Sequence, residues 1–437
     1  MSETSSATGE AIHQLLRRLF PINRSLTGDG VRETLRILGE HLPGLSIHEV
    51  PTGTPVMDWF VPREWAVRDA YVLDPSGKKI IDFAETNLRL VGYSIPVNKE
   101  VSLEELQAHL YSIPEQPEAI PYVTSYYTER WGFCVRETER QAITAEGPYT
   151  VVIDSELKQG HLTYGELRIP GETTDEVLIS TYVCHPSMAN NELSGPGVTT
   201  FLAKWLLSAK RRLSYRIVFI PETIGSITYL SQHLEEMKRV VIAGFNVTCV
   251  GDDRAHSYLP SRRGNTVADQ IAQHVLKHLH PDYVHYTYLD RGSDERQYCA
   301  PGVDLPVASV MRTKFGKYPE YHTSLDDLDF VTPSGLQGGF DVLQKCIECL
   351  EANERLRVSV LCEPQLGRRG LYPTLSQRNS AKSVRTMTNM IAYCDGERTL
   401  VEIAETIGVP MWELIPLAER LKAEGLLVAL DASEGQT

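Results

Sequence analysis

The sequence has no apolar run long enough to cross a bilayer, which excludes an ordinary membrane-spanning helix. Its first nine residues are small and polar, without the apolar core of a secretory signal, so the cytoplasm is the expected location. Cysteine is sparse. Cys134, Cys184, Cys249 and Cys299 lie singly, which rules out a dense disulfide framework and suits a reducing compartment. Cys346 and Cys349 form one C-x-x-C inside a helical run with no second pair nearby, the pattern of buried helix cysteines rather than a metal knuckle. Cations are also short: 43 Lys and Arg against 57 Asp and Glu leave a net charge of −14, which argues against a nucleic-acid partner that needs its phosphates neutralised. The basic pairs Arg211-Arg212 and Arg368-Arg369 are too short to form a track.

What is present is a globular chain of 437 residues, enough for two or three domains at roughly 150 residues each. Residues 10–42 read as helix, turn, helix, with Pro21 ending the first run and Thr27-Gly28-Asp29-Gly30 breaking before the second. Short β-rich pieces follow at 70–73, 79–83 and 93–97, then a proline-spaced, tyrosine-rich stretch, together a separate β-rich module at 59–145. From about Tyr149 the pattern changes. Apolar runs at 177–183, 216–220, 241–250 and 307–311 alternate with helical patterns at 196–208, 227–236, 266–278 and 335–350. Strands buried on both faces and alternating with helices predict an α/β domain, a mostly parallel sheet sandwiched by helices, built from 1–58 and 146–355. The remainder, 356–437, reads as a linker and a winged helix: helices at 383–393, 399–407 and 411–424, then a short apolar strand.

Ligands in such sheets bind beyond the carboxyl ends of the strands, and the polar clusters stand there. They are Cys184-His185-Pro186-Ser187 leading to Asn191-Glu192; Pro221-Glu222-Thr223-Ile224-Gly225-Ser226; Thr248 to Asp252-Asp253; and the pair Ser293-Asp294-Glu295 and Tyr321-His322-Thr323-Ser324-Leu325-Asp326-Asp327. Singly, each has a plainer reading: a histidine satisfying a turn, Glu222 at a helix N-terminus, Asp252-Asp253 in a turn, Asp326-Asp327 as first-turn charge. Their order and shared placement make the case for chemistry.

That order resembles the zinc aminopeptidases and carboxypeptidases of the MH clan, over residues 24–350 with the β-rich module interrupting. The runs Cys184-His-Pro-Ser187, Pro221-Glu-Thr-Ile-Gly-Ser226, Arg291-Gly-Ser-Asp-Glu-Arg-Gln297 and Tyr318-Pro-Glu-Tyr-His-Thr-Ser324 resemble a branch of aminopeptidase-like domain proteins of unknown function that carries a winged-helix tail. The resemblance implies metal ligation by His185 and His322 and a general-base role for Glu222. It also exposes three departures. The clan's second glutamate falls on Thr223, its metal-bridging aspartate on Asn191, and a further ligand aspartate on Thr248. Two adjacent Zn²⁺ ions need anionic ligands, so one zinc is expected, held by three protein groups and water. Glu192 is the carboxylate chosen here, with Asp253, Asp252 and Glu222 as rivals. Asn191, Asp252, Asp253, Asp294, Glu295 and Tyr321 are expected around the ligands or against substrate, Asp294 or Glu295 orienting a histidine or binding an amino group and Tyr321 facing an oxyanion.

The activity implied is metal-assisted hydrolysis of an amide or peptide bond in a peptide-like or aminoacyl substrate. Three other readings stand beside it: processing of an amide conjugate in small-molecule or polysaccharide biosynthesis, a degenerate enzyme kept as a binding protein, and regulation through the tail. The tail's helix at 411–424 has no basic face, so a protein contact or self-association suits it better than DNA.

Overall fold

The computed structural model describes residues 3–371 and 378–430. They fall into two compact units, 3–268 with 284–341, and 269–283 with 342–371 and 378–430. The first unit is organised by an eight-stranded sheet in the order Ser46–Pro51, His161–Ile169, Ser214–Ile220, Glu176–Tyr182, Val241–Asn246, Val307–Met311, Ser257–Leu259, Val284–His285. The four strands from Ser214–Ile220 to Val307–Met311 are parallel. Antiparallel strands flank them on both sides. The continuous apolar runs explain the centre: Val177, Leu178 and Ile179 are at most 1% exposed, and burying each such side chain contributes about 1.5–3 kcal/mol. The expected run 241–250 ends as a strand at Asn246, because Val247–Val250 turns away through Cys249 at φ +51°.

Helix Glu3–Leu19 packs on Ser194–Leu207, which lies on strand Glu176–Tyr182, and Asp29–Gly39 packs on His161–Ile169. Ser194–Leu207 approaches the sheet so closely at Gly195 that a Cβ there would lie 2.4 Å from Thr181 Oγ1 and 2.4 Å from the Val247 carbonyl. Just before it, Ala189–Leu193 forms one wide π-helical turn, a feature that often marks functional sites.

The β-rich module holds an antiparallel sheet in the order Lys79–Asp82, Glu64–Leu73, Tyr149–Lys158, Val97–Val101. Tyr149–Lys158, assigned by sequence to the larger domain, pairs along its length with Glu64–Leu73 and so completes the inserted sheet. The expected strand at 93–97 starts instead at Val97, because Tyr93 sits at φ +64°, stacked on Trp65 with its hydroxyl 2.7 Å from Thr27 Oγ1. The module's core, with Val56, Trp65 and Tyr93, is continuous with Tyr182, Cys184, Ile220 and Ile224 under the strand-end loops.

The second unit is a winged helix. Helices Arg378–Ala392, Leu400–Ile407 and Met411–Ala423 accompany a three-stranded sheet ordered Asp395–Thr399, Arg355–Val358, Leu427–Leu430. The unit also takes in residues 269–283, outside the expected span 356–437, because His274 accepts a hydrogen bond from Met411 N (2.8 Å) and pairs with Glu405 (2.6 Å). Among the described residues no helix is long and apolar enough to cross a membrane.

Candidate active site and metal centre

The parallel strands deliver the predicted residues to one place. His185 follows Glu176–Tyr182 and is 3% exposed. Its Nδ1 lies 2.9 Å from Glu192 Oε2, and its carbonyl accepts a 2.9 Å hydrogen bond from Arg24 Nε. The same Arg24 Nε is 3.5 Å from Glu192 Oε1, and both side chains are fully buried. A carboxylate accepting from Nδ1–H fixes the tautomer, so the Nε2 lone pair points the other way, towards Glu222 Oε2 at 3.7 Å. Glu192 stands behind His185 in this structure. Its oxygens face His185 Nδ1 and Arg24, and a divalent cation set between them would sit against a guanidinium.

His322 is brought in by a strained loop, with φ +58°. Its ring lies flat on Tyr321, 3.9 Å between centroids, and 5.6 Å from the ring of His185. Burial pushes both histidines down to about 3, so both are neutral, the form that ligates metal. The loop is pinned by the inserted module: His322 O accepts from Tyr122 N (2.8 Å), and Ser324 N donates to Ile120 O (2.8 Å). The Tyr122 ring reaches both histidines, 5.3 Å from His185 and 5.2 Å from His322.

Glu222 keeps 21% of its side chain exposed, an opening towards solvent. Burial and the neighbouring Asp294 push it up to about 8. Asp294 Oδ1 accepts from Thr223 N (2.7 Å) and Ser226 Oγ (2.7 Å), which holds the turn after the strand. Thr223 itself is at φ +65°, a strained conformation for a β-branched residue. Its hydroxyl accepts a 2.5 Å hydrogen bond from Arg296 Nη2. An arginine therefore stands against Thr223, the position where the resemblance implies a second glutamate.

The other two missing carboxylates are replaced by a neutral cluster. Tyr182 OH lies 2.6 Å from Asn191 O, 3.2 Å from Asn191 Oδ1 and 2.6 Å from Thr248 Oγ1. Asn191 Nδ2 is buried with no hydrogen-bond partner among the described residues. Rotating that amide by 180° would present its carbonyl oxygen there instead. The donors present could hold a cation: two neutral imidazoles, a nearby carboxylate and an amide with an unused end.

The remaining predicted residues are held by local hydrogen bonds. Asp252 accepts from Arg254 N, Thr313 N, Thr313 Oγ1 and Asn190 Nδ2 at 2.6–3.1 Å and has no free lone pair to offer a metal. Asp253 is exposed and bonded to Thr332 and Ser334 at the start of helix Pro333–Ala352. Glu295 accepts from Gly292 N, Ser293 N and Asn246 Nδ2, which shapes the loop. Arg24, Tyr122, Tyr182, Arg296 and Asp326 were not anticipated in these roles. Asp326, read as first-turn charge, is buried and accepts from Asn190 N (2.6 Å) and Asn191 N (2.9 Å), tying the His322 loop to the π turn.

Among the described residues two groupings have metal-ligand spacing. One is the candidate site itself, Cys184 with His185 and Glu192, where burial pushes the thiol well up. In the second unit His274, His278 and Glu405 cluster, yet both ring nitrogens of His274 are already in use, on Glu405 and on Met411 N.

Comparison with known proteins agrees with this architecture. A profile described as a domain of unknown function, DUF4910, matches residues 13–353, and one described as winged helix-turn-helix matches 354–429. A Clostridium acetobutylicum protein named "Putative polysaccharide biosynthesis protein with aminopeptidase-like domain" is 42% identical over 427 residues, 97% of this chain and 98% of that one. A crystal structure called "putative peptidase" from the same organism superposes with TM-score 0.92 at 41% identity, covering 98% of each chain. A zinc aminopeptidase from Bacillus subtilis superposes with TM-score 0.57 at 12% identity, over 78% of this chain and 94% of that one, a likeness of fold alone.

Proposed function

The chain belongs to the DUF4910 family and carries a C-terminal winged helix, and on that premise we propose that it is a zinc-dependent hydrolase of an amide or peptide-like bond. The observation that carries this reading is the placement of two neutral histidines with ring centres 5.6 Å apart beside Glu222. Two imidazoles on one tetrahedral zinc, with Zn–N of about 2.0–2.1 Å, place their ring centres about 5 Å apart. His185 and His322 would hold the ion, with the amide oxygen of Asn191 as third protein ligand. Glu192 and Arg24 fix His185 from behind. Zinc bound there would supply Lewis-acid polarisation of the substrate's acyl oxygen.

Glu222 is the proton-transfer group. Raised to about 8, it sits in the range where a carboxylate both takes a proton from water and returns it to a leaving amine. Asp294 holds the turn that aims it, and Tyr122 and Tyr321 wall the histidines and exclude water from that side. The domain roles follow: the unit of the eight-stranded sheet catalytic, the module at 59–145 with strand Tyr149–Lys158 framing the site, and the winged helix separate. The relative's name favours an amide conjugate of polysaccharide biosynthesis over general peptides. Eight free cysteines, seven of them buried, support a reducing cytoplasm as the working compartment.

Zinc per chain, measured on protein purified without added metal, tests the site. About one zinc is expected, lost in both His185→Ala and His322→Ala, with cleavage of aminoacyl amides lost in Glu222→Gln while its zinc remains. No zinc even after supplementation would sink the hydrolase and leave a binding protein.

A further inference from the structure

The inserted module carries an exposed aromatic face that the proposed chemistry does not use. Strands Pro55–Val56 and Trp59–Phe60 form a hairpin with Met57 and Asp58 as its two-residue turn. Met57 is 56% exposed, Trp59 43%, Phe60 53% and Tyr127 41%. The rings are arranged together: Tyr127 lies 5.1 Å edge-on to Phe60 and 5.9 Å from Trp59, and its hydroxyl donates to Phe60 O at 2.9 Å. Water-facing aromatics held in fixed geometry mark a contact surface. Met57 adopts φ +54° in a turn that ordinarily takes Gly or Asn, so the hairpin carries backbone strain where it shows its apolar side chains.

The face is linked to the candidate site through neighbouring residues of the module. Tyr127 follows Tyr126, whose hydroxyl is 3.2 Å from that of Tyr122, and the Tyr122 ring touches both histidines. Below the hairpin, Val56 shares a core with Ile224 and Ile227, on the helix that begins two residues after Glu222. Its size suits a small occupant. Four side chains of roughly 200 Å² each, about half exposed, offer about 400 Å², half of the about 800 Å² per partner in a stable protein interface. Its rim is polar, with exposed Asp58 and the Arg63–Glu129 ion pair.

We infer that Met57, Trp59, Phe60 and Tyr127 form a binding face for a pyranose ring, the sugar portion of the conjugate whose amide meets Glu222. The C–H face of a neutral or N-acetylated hexose stacks on aromatic rings, and its hydroxyls find Asp58 and the Arg63–Glu129 pair. This assignment deepens the hydrolase reading, and it is measured without catalysis.

The test is calorimetric titration and saturation-transfer NMR of the full chain with chitotetraose, cellotetraose and maltotetraose. At least one should bind, with affinity reduced tenfold or more in Trp59→Ala and in Tyr127→Ala. Trp59→Phe should retain affinity within about threefold. His185→Ala should bind the sugar like wild type, so a failed metal site leaves this result readable. Binding of none of the three, or binding indifferent to Trp59→Ala, overturns the assignment. So does a wild-type dimer that Trp59→Ala converts to monomer, which would make the face a protein contact.

Discussion

Arg24, Glu192 and His185 form a charge chain that must be intact before any metal chemistry is possible. Arg24 and Glu192 are fully buried, burial pushes the Glu192 carboxyl up to about 8 while Arg24 pulls it down, and removing one partner of such a buried pair costs about 3–5 kcal/mol. Arg24→Met is therefore expected to lower unfolding free energy by about 3 kcal/mol or more in urea titrations, and an unchanged midpoint would contradict the pairing. Glu192→Gln keeps a hydrogen-bond acceptor for His185 but loses the charge, so the fold should survive while zinc affinity, read by chelator competition, falls by about 10- to 100-fold. A variant that loses zinc altogether would return Glu192 to the role of direct ligand. These residues also show the limit of sequence reading at this scale. His185, Glu222 and His322 were legible because each stands at the end of a buried strand or in a distinctive run. Arg24 was not, since it meets His185 across 161 positions and nothing local to it hints at burial.

Elements were legible where one face or both faces are apolar, and misread where a single contact overrides the pattern. Glu176–Tyr182 and Ser214–Ile220 are buried almost throughout and follow their apolar runs to within two residues. Tyr93 looks like strand, yet its stacking on Trp65 and its bond to Thr27 hold it left-handed. In the inserted module Arg89, 4% exposed, is held by Glu139 through two hydrogen bonds. Burial alone would raise Glu139, but Arg89 and the Arg136 backbone hold it at about 2. A folded value below the ordinary unfolded value of about 4.3 stabilises the module above pH 4–5 and is lost as pH falls through about 2. Glu139→Gln should therefore destabilise the protein at pH 7, and its gap from wild type should close as unfolding is followed down to pH 2. A gap independent of pH would mean that the carboxylate charge is not what holds Arg89.

For the whole molecule, the deciding question is whether the winged helix reads nucleic acid. The fold was legible in the tail's helix spacing, but its sheet was not, because Arg355–Val358 pairs with strands that begin about 40 and 70 residues later. Helix Met411–Ala423, where a groove-reading helix would lie, carries Glu413 in its first turn and Pro416 inside it. Its cations are already committed: Lys422 pairs with Glu354 at 2.6 Å and Glu419 at 2.7 Å, and Arg420 donates to Gly370 O at 2.9 Å. With a chain charge of −14 and no free basic row on that helix, few phosphates could be neutralised. Affinity for duplex DNA depends on such neutralisation, falling with log salt at a slope of about −0.9 per phosphate contacted. Mobility-shift titrations of the full chain on random duplex should therefore show no retention at low micromolar protein in about 50 mM salt. Retention that weakens with salt at a slope of several would mean that cations elsewhere on the winged helix form the contact, and the tail would then have to be read as a regulator.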